Sequence, residues 1–206
     1  MTKPIVIKLG GSLMHSPHLQ HWLNAISEHG KGRAVIVPGG SEFADKVRIA
    51  QQQTGFDDLG AHRLALFAML QFGLQIISLQ PRIQPAATRE QINTILANNA
   101  IALWQPLALM NDQSDIPASW DYTSDSIALW LATQLNADLY LVKSVSLNKA
   151  NFSMEALQQA GVVDAGFVEL TAGFNHSIVW LGPNQFADFS RNSGNFEIET
   201  RPECHC

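Results

Sequence analysis

The chain has 206 residues, 46% hydrophobic and 15% charged, with a formal net charge of -5. That balance supports a buried core and excludes an intrinsically disordered chain, and no basic stripe is present for nonspecific nucleic-acid binding. The two cysteines, Cys204 and Cys206, sit at the extreme C-terminus, which excludes a disulfide scaffold and points to a reducing compartment.

Short apolar runs alternate with segments of helical period. Pro4 to Leu9 (PIVIKL) reads as a buried strand ending in a glycine turn. His18 to His29 carries Leu19, Trp22, Leu23 and Ile26 at helical spacing. Ala34 to Val37 is a second strand, stopped by Pro38-Gly39-Gly40, and Glu42 to Gln53 a helix with Phe43, Val47 and Ala50 on one face. Leu59 to Phe72 is predicted as a helix running into a strand at Gln75 to Leu79. Its apolar sequence is broken by Gln71, Gly73 and Gln75, so it reads as core and not as a membrane span. Thr88 is a predicted N-cap for a helix through Leu96. Ile101 to Trp104 and Ala108 to Met110 are strand-like. Ser124 to Leu135 is an apolar helix, Leu139 to Val142 a strand, Ser153 to Ala160 a short helix and Ser177 to Leu181 a late strand.

This alternation, with strands that are continuous apolar runs, predicts an α/β fold with a mainly parallel sheet covered on both faces. No linker or repeat divides the chain, so residues 1–206 are expected to form one domain with a flexible tail from about residue 201. The N-terminus has no apolar region of signal-peptide length, and the cytoplasm is the expected compartment.

Three segments carry chemistry. Lys8-Leu9-Gly10-Gly11-Ser12 follows the first strand directly. Glycines there let backbone N–H groups approach a phosphate, and Lys8 emerges at the strand's carboxyl end, where open α/β sheets bind ligands. The same residues also suit an ordinary glycine turn with a solvated lysine. Pro38-Gly39-Gly40-Ser41 repeats the arrangement, with Asp45 and Arg48 on the next helix. Arg48 either faces an anionic substrate or pairs with Asp45 in solvent. Trp120-Asp121-Tyr122-Thr123-Ser124-Asp125 opens an apolar helix. Thr123 or Ser124 suits an N-cap, and Asp125 suits either the helix dipole or a site in which it orients lysines while Thr123 and Ser124 donate hydrogen bonds. Trp120 precedes this turn and is placed to wall a flat ring. Cys204-His205-Cys206 lacks a second ligand pair for zinc.

Together these segments resemble the amino acid kinase family over roughly the whole chain. Within it, IVIKLGGSL, GGSEFADKVR, LGAHRLALFAM and SWDYTSDSIALWL are most similar to the aminomethylfuran phosphate kinases of methanofuran biosynthesis. The resemblance implies an αβα sandwich without the extra regulatory domain of aspartate kinases, and phosphoryl transfer from ATP-Mg²⁺, with magnesium held by the nucleotide. It implies that Lys8 stabilises the transferring phosphoryl group and that Gly10, Gly11 and Ser12 hold nucleotide phosphates. Gly39 and Gly40 would lie against the acceptor, and Asp125 would organise catalytic lysines. Arg48 and His62 are the nearest charges for an acceptor phosphate, His62 favoured because it lies in LGAHRLALFAM. The resemblance also implies a homo-oligomer, while charge and hydropathy lead to the expectation of no nucleic-acid or membrane partner.

Two departures stand out. The family's D-V-x-G turn is replaced by Lys143-Ser144-Val145-Ser146-Leu147, where Lys143 and Ser144 become candidate nucleotide contacts. The I-P-K segment carrying a second lysine is also missing; Val162 to Phe167 stands there, leaving Lys143 or Lys149 as substitutes. Amino acid, uridylate or isopentenyl phosphate kinase activity, and a non-catalytic metabolite-binding role, are the alternatives on the same fold.

Overall fold

A computed structural model describes residues 3–112, 115–145 and 153–190. The tail with Cys204, His205 and Cys206, and the candidate Lys149, lie outside the described residues. Six strands form one sheet: β1 (Ile5–Leu9), β2 (Ala34–Pro38), β3 (Ile83–Ala86), β4 (Ile101–Trp104), β5 (Asp138–Val142) and β6 (Ile178–Leu181). Their order is β3-β4-β2-β1-β5-β6, and every described pairing is parallel. All residues of β1, β2, β4 and β6 are buried, as expected for parallel strands covered on both faces.

The helices are α1 (Leu19–His29), α2 (Ser41–Thr54), α3 (Asp58–Leu79), α4 (Arg89–Ala97), α5 (Leu107–Asp112), α6 (Ser124–Gln134), α7 (Met154–Gln159), α8 (Ala165–Thr171) and α9 (Phe186–Ser190), with a 3-10 turn at Gly11–His15. Alternate residues of β1 face two separate cores. Ile5, Ile7 and Leu9 pack with Trp22, Leu23 and Ile26 of α1 and with Phe72 and Ile76 of α3. Val6 faces the other side, among Val35, Val37, Trp104 and the apolar residues of α6. The result is the expected three-layer αβα sandwich with a parallel central sheet.

Two predicted strands are helical. Gln75 to Leu79 is the last part of α3, which continues unbroken through Gly73. A Cβ at Gly73 would lie 2.9 Å from Leu103 Cδ2, so the glycine lets the helix approach β4 and does not end it. Ala108 to Met110 falls in α5, a short apolar run whose period does not separate strand from helix. The strand β3, with Gln84 and Pro85, was not anticipated. It lies at the sheet edge, where proline's missing N–H is tolerated. By length and composition α3 could cross a membrane, yet it packs against α2, α5 and the sheet. Leu64, Phe67 and Leu74 remain exposed on its outer side.

The topology selects one crevice. From β1 the chain moves to β2 on one side, and from β5 to β6 on the other, while β1 and β5 are neighbours. Loops after two such strands diverge and leave room at their carboxyl ends. Lys8 and Gly10 close one strand, and Lys143 follows the other. Gly10 N–H donates to the Val142 carbonyl at 3.0 Å, tying the two loops together.

Candidate active site

Above that crevice lies a cavity of about 550 Å³. Its wall brings together Lys8, Gly10, Gly11, Ser12, Gly40, Arg48, His62, Thr123, Ser124, Asp125, Lys143 and Ser144 from segments far apart in sequence. Gly39 is the one predicted site residue outside the lining. A Cβ on it would come within 2.3 Å of Gly11 N, and a Cβ on Gly11 within 2.3 Å of Ser41 N. The two glycine turns therefore press backbone against backbone. Gly39 N–H also donates to the Leu9 carbonyl at 2.8 Å. Gly39 acts as a spacer beneath the cavity, and Ser41 beside it takes a left-handed φ of 52°.

At the floor, Asp125 bridges two ammonium groups. Lys8 Nζ lies 2.9 Å from one carboxylate oxygen and Lys143 Nζ 2.6 Å from the other. Lys8, Asp125 and Lys143 are only 4%, 5% and 8% exposed. Lys143 also donates to the Val162 carbonyl at 2.5 Å. Burial alone would push the Asp125 carboxyl up, but Lys8 and Lys143 hold it below the ordinary carboxylate range. Burial, and then the neighbouring Lys8 ammonium, lower Lys143 to about 8, with Asp125 opposing them. Two ammonium groups on one carboxylate make the trio a net positive centre in a buried wall.

Two helical N-termini open on the same space without a side-chain cap: the 3-10 turn behind Gly10 and α2 behind Gly40. By contrast α3, α4, α7 and α8 are capped by Asp57, Thr88, Ser153 and Asp164. Uncapped N-terminal N–H groups and the helix dipole favour anions. Thr123 holds the N-cap position of α6, but its hydroxyl donates to Asp164 at 2.6 Å, and the Asp164 carboxylate, accepting from Ser126 N at 3.3 Å, caps the helix in its place.

Asp164 was passed over in the sequence. Its carboxylate accepts from Thr123 N at 2.8 Å, from Phe167 N at 2.7 Å and from the Ser126 hydroxyl. It thereby clamps the start of α6, on which Asp125 rides, to the start of α8. In sequence it is legible only as a cap before a short helix. Half-buried His62 faces the cavity from α3, and burial lowers its imidazole below the ordinary 6.5, so it is neutral at pH 7. Arg48 therefore carries the charge on that side. Among the described residues no group of three or more His, Cys, Asp or Glu is placed to hold a metal ion.

The Lys143 shift sets a stability expectation. Its folded pKa, about 8, lies below its ordinary 10.5, so between those values the unfolded chain binds more protons. Its contribution to stability then rises with pH across that window. Denaturant unfolding of wild type and Lys143→Met from pH 7 to 11 is expected to show the difference moving in favour of wild type as pH rises from about 8. A difference independent of pH would contradict the burial of a charged Lys143.

Residues 3–146 match the profile of the Amino acid kinase family. A curated relative from Methanocaldococcus jannaschii, named (5-(aminomethyl)furan-3-yl)methyl phosphate kinase, is 29% identical over 133 residues, or 64% of this chain and 61% of the relative. The match thus spans less than two thirds of that relative's length. The fold is shared with the uridylate kinase of Archaeoglobus fulgidus at 13% identity and a TM-score of 0.65, covering 90% of this chain and 95% of that one. It is shared also with the UMP kinase of Bacillus anthracis at 17% identity and a TM-score of 0.66, covering 94% and 93%. An isopentenyl phosphate kinase gives 12% identity and a TM-score of 0.60, covering 94% and 97%.

Proposed function

The chain belongs to the amino acid kinase family, and from that premise we propose that it transfers a phosphoryl group from ATP-Mg²⁺ to a small phosphorylated metabolite of the aminomethylfuran phosphate kind. The observation that carries this reading is the buried Lys8–Asp125–Lys143 bridge facing two uncapped helical N-termini. Such an arrangement fits a polyphosphate: cations that neutralise charge, and fixed N–H donors that need no reorganisation. Bound ATP-Mg²⁺ supplies the phosphoryl group, with magnesium carried by the phosphates and several waters.

On this reading Gly10, Gly11, Ser12 and Ser144 hold the nucleotide, while Lys8 and Lys143 neutralise the transferring group. Asp125 opposes the loss of the Lys143 proton and aims both ammonium groups. Lys143 thus stands in for the second lysine that the sequence lacks at Val162 to Phe167. Gly40, Arg48, His62, Thr123 and Ser124 line the acceptor side, and Asp45 and Asp58 in the same wall suit an acceptor that also carries an ammonium group. A phosphate nucleophile is already ionised at neutral pH, so no general base is required. The protein acts in the cytoplasm as a homo-oligomer, for which the exposed Leu64, Phe67 and Leu74 of α3 offer a contact surface.

ADP formation with ATP-Mg²⁺ and a panel of phosphorylated and non-phosphorylated acceptors tests the activity. Turnover with a phosphate monoester is expected; turnover only with amino acids would move the assignment, and none with any acceptor would favour a binding role. Within this reading Arg48→Ala is expected to raise acceptor KM about ten- to a hundredfold, the loss of a charge-assisted hydrogen bond. His62→Ala, losing a neutral one, is expected to raise it only about two- to tenfold. ATP KM should stay nearly constant in both; a rise there would reverse the two sides of the site.

A further inference from the structure

Trp120 stands apart from Trp104 and Trp180, which are in the core. It lies in the cavity wall with the Arg48 guanidinium over its ring, Cζ 4.4 Å from the centroid. Its Nε1–H donates to Gln51 Oε1 at 2.6 Å, one helical turn along α2 from Arg48. The Gln51 amide in turn donates to the Phe56 carbonyl at 3.2 Å and to Asp58 Oδ1 at 2.8 Å. The indole plane is therefore pinned to the junction of α2 and α3, while Arg48 lies on it as an exposed cation. A guanidinium rests there because the ring face is electron-rich, and that is also the face on which a flat ring stacks.

We propose that the Arg48–Trp120 stack is the selectivity wall of the acceptor site: a flat-ring phosphate monoester lies on the indole, and Arg48 leaves the ring for the monoester's phosphate. The proposal rests on the phosphorylated-acceptor reading above and adds what selects the acceptor. A phosphate on a saturated frame draws Arg48 off the indole without replacing the lost stacking. A flat ring replaces it, so ring and phosphate are read as a pair by one exchange.

The test is calorimetric binding, which needs no turnover. Furan-3-ylmethyl phosphate and cyclopentylmethyl phosphate, equal in charge and close in size, are titrated into wild type, Trp120→Leu, Trp120→Phe and Arg48→Ala, with circular dichroism to confirm folding. Wild type is expected to prefer the furan about fivefold. Trp120→Leu should erase that preference while binding the saturated ester at least as tightly as wild type, Trp120→Phe should restore most of it, and Arg48→Ala should weaken both esters about tenfold or more. Equal binding of the two esters by wild type, or a preference that survives in Trp120→Leu, overturns the wall and leaves the kinase reading standing. Weakened ATP binding in Trp120→Leu also overturns it, since the indole would then read the nucleotide. Ring preference without ADP formation from any acceptor keeps the wall and removes the kinase reading, and failure of wild type to bind either ester removes both.

Discussion

Lys8→Met is expected to lower kcat by about 10²- to 10³-fold and to leave the fold in place. The loss follows from removing a preorganised cation at the point where negative charge concentrates in phosphoryl transfer, in a wall that excludes water. The fold is expected to survive because Asp125 keeps its second partner, Lys143, at 2.6 Å. Removing Lys8 also lifts one of the two influences that lower the Lys143 pKa, so the remaining pair is held more firmly in its charged form. ADP formation under saturating substrates gives kcat, and circular dichroism gives the fold. Near-normal turnover in a folded variant would take Lys8 out of the chemistry.

Asp125→Asn is expected to damage both activity and stability. As a simple first-turn acid on α6, Asp125 would contribute about 0.3–1 kcal/mol. Its place between two buried lysines changes that expectation. Without the carboxylate, two ammonium groups face each other in a buried wall, and breaking a buried pair costs about 3–5 kcal/mol. Lys143, already lowered to about 8, can escape part of that cost by releasing its proton. The loss of stability should therefore shrink as pH rises toward 8 and level off above it, where the wild-type lysine is neutral as well. The same proton release removes a cation from the site, and kcat should fall by about 10²-fold or more. Denaturant unfolding at two pH values, paired with turnover at pH 7, measures both. A small, pH-independent loss with kcat preserved would reduce Asp125 to a helix-terminus acid.

The strands with continuous apolar runs were legible because a parallel strand buried on both faces leaves that mark in sequence. The edge strand β3 leaves none, since Gln84 and Pro85 are exposed. Gln75 to Leu79 was misleading for a different reason: IISL carries strand-forming residues, and only the approach of Gly73 to Leu103 shows why the helix runs on. In the site, Lys8, the glycine turns and Asp125 were legible because each is a local feature at a strand end or helix start. The bond from Lys143 to Asp125 crosses 18 positions and the clamp from Asp164 to Thr123 crosses 41. No local period or cap signal encodes such pairings; the order of strands in the sheet creates them. Arg48 met a different partner from the one its spacing suggested, because Trp120 comes to α2 from a distant turn and offers a ring face where Asp45 offers only a solvated charge.

The contact between the two glycine turns also bears on how such a protein can change. Gly11 and Gly39 have no room for even a methyl group, because each meets backbone and not a side chain that can step aside. A substitution that reshapes the Gly10-Gly11 turn must therefore displace the Gly39-Gly40 turn as well, and variation in the floor is penalised twice. Trp120, Arg48 and His62 stand on the rim, outside that constraint. On the proposed reading, new acceptor preferences can be acquired there one residue at a time, while the floor that would move the phosphoryl group is inherited unchanged.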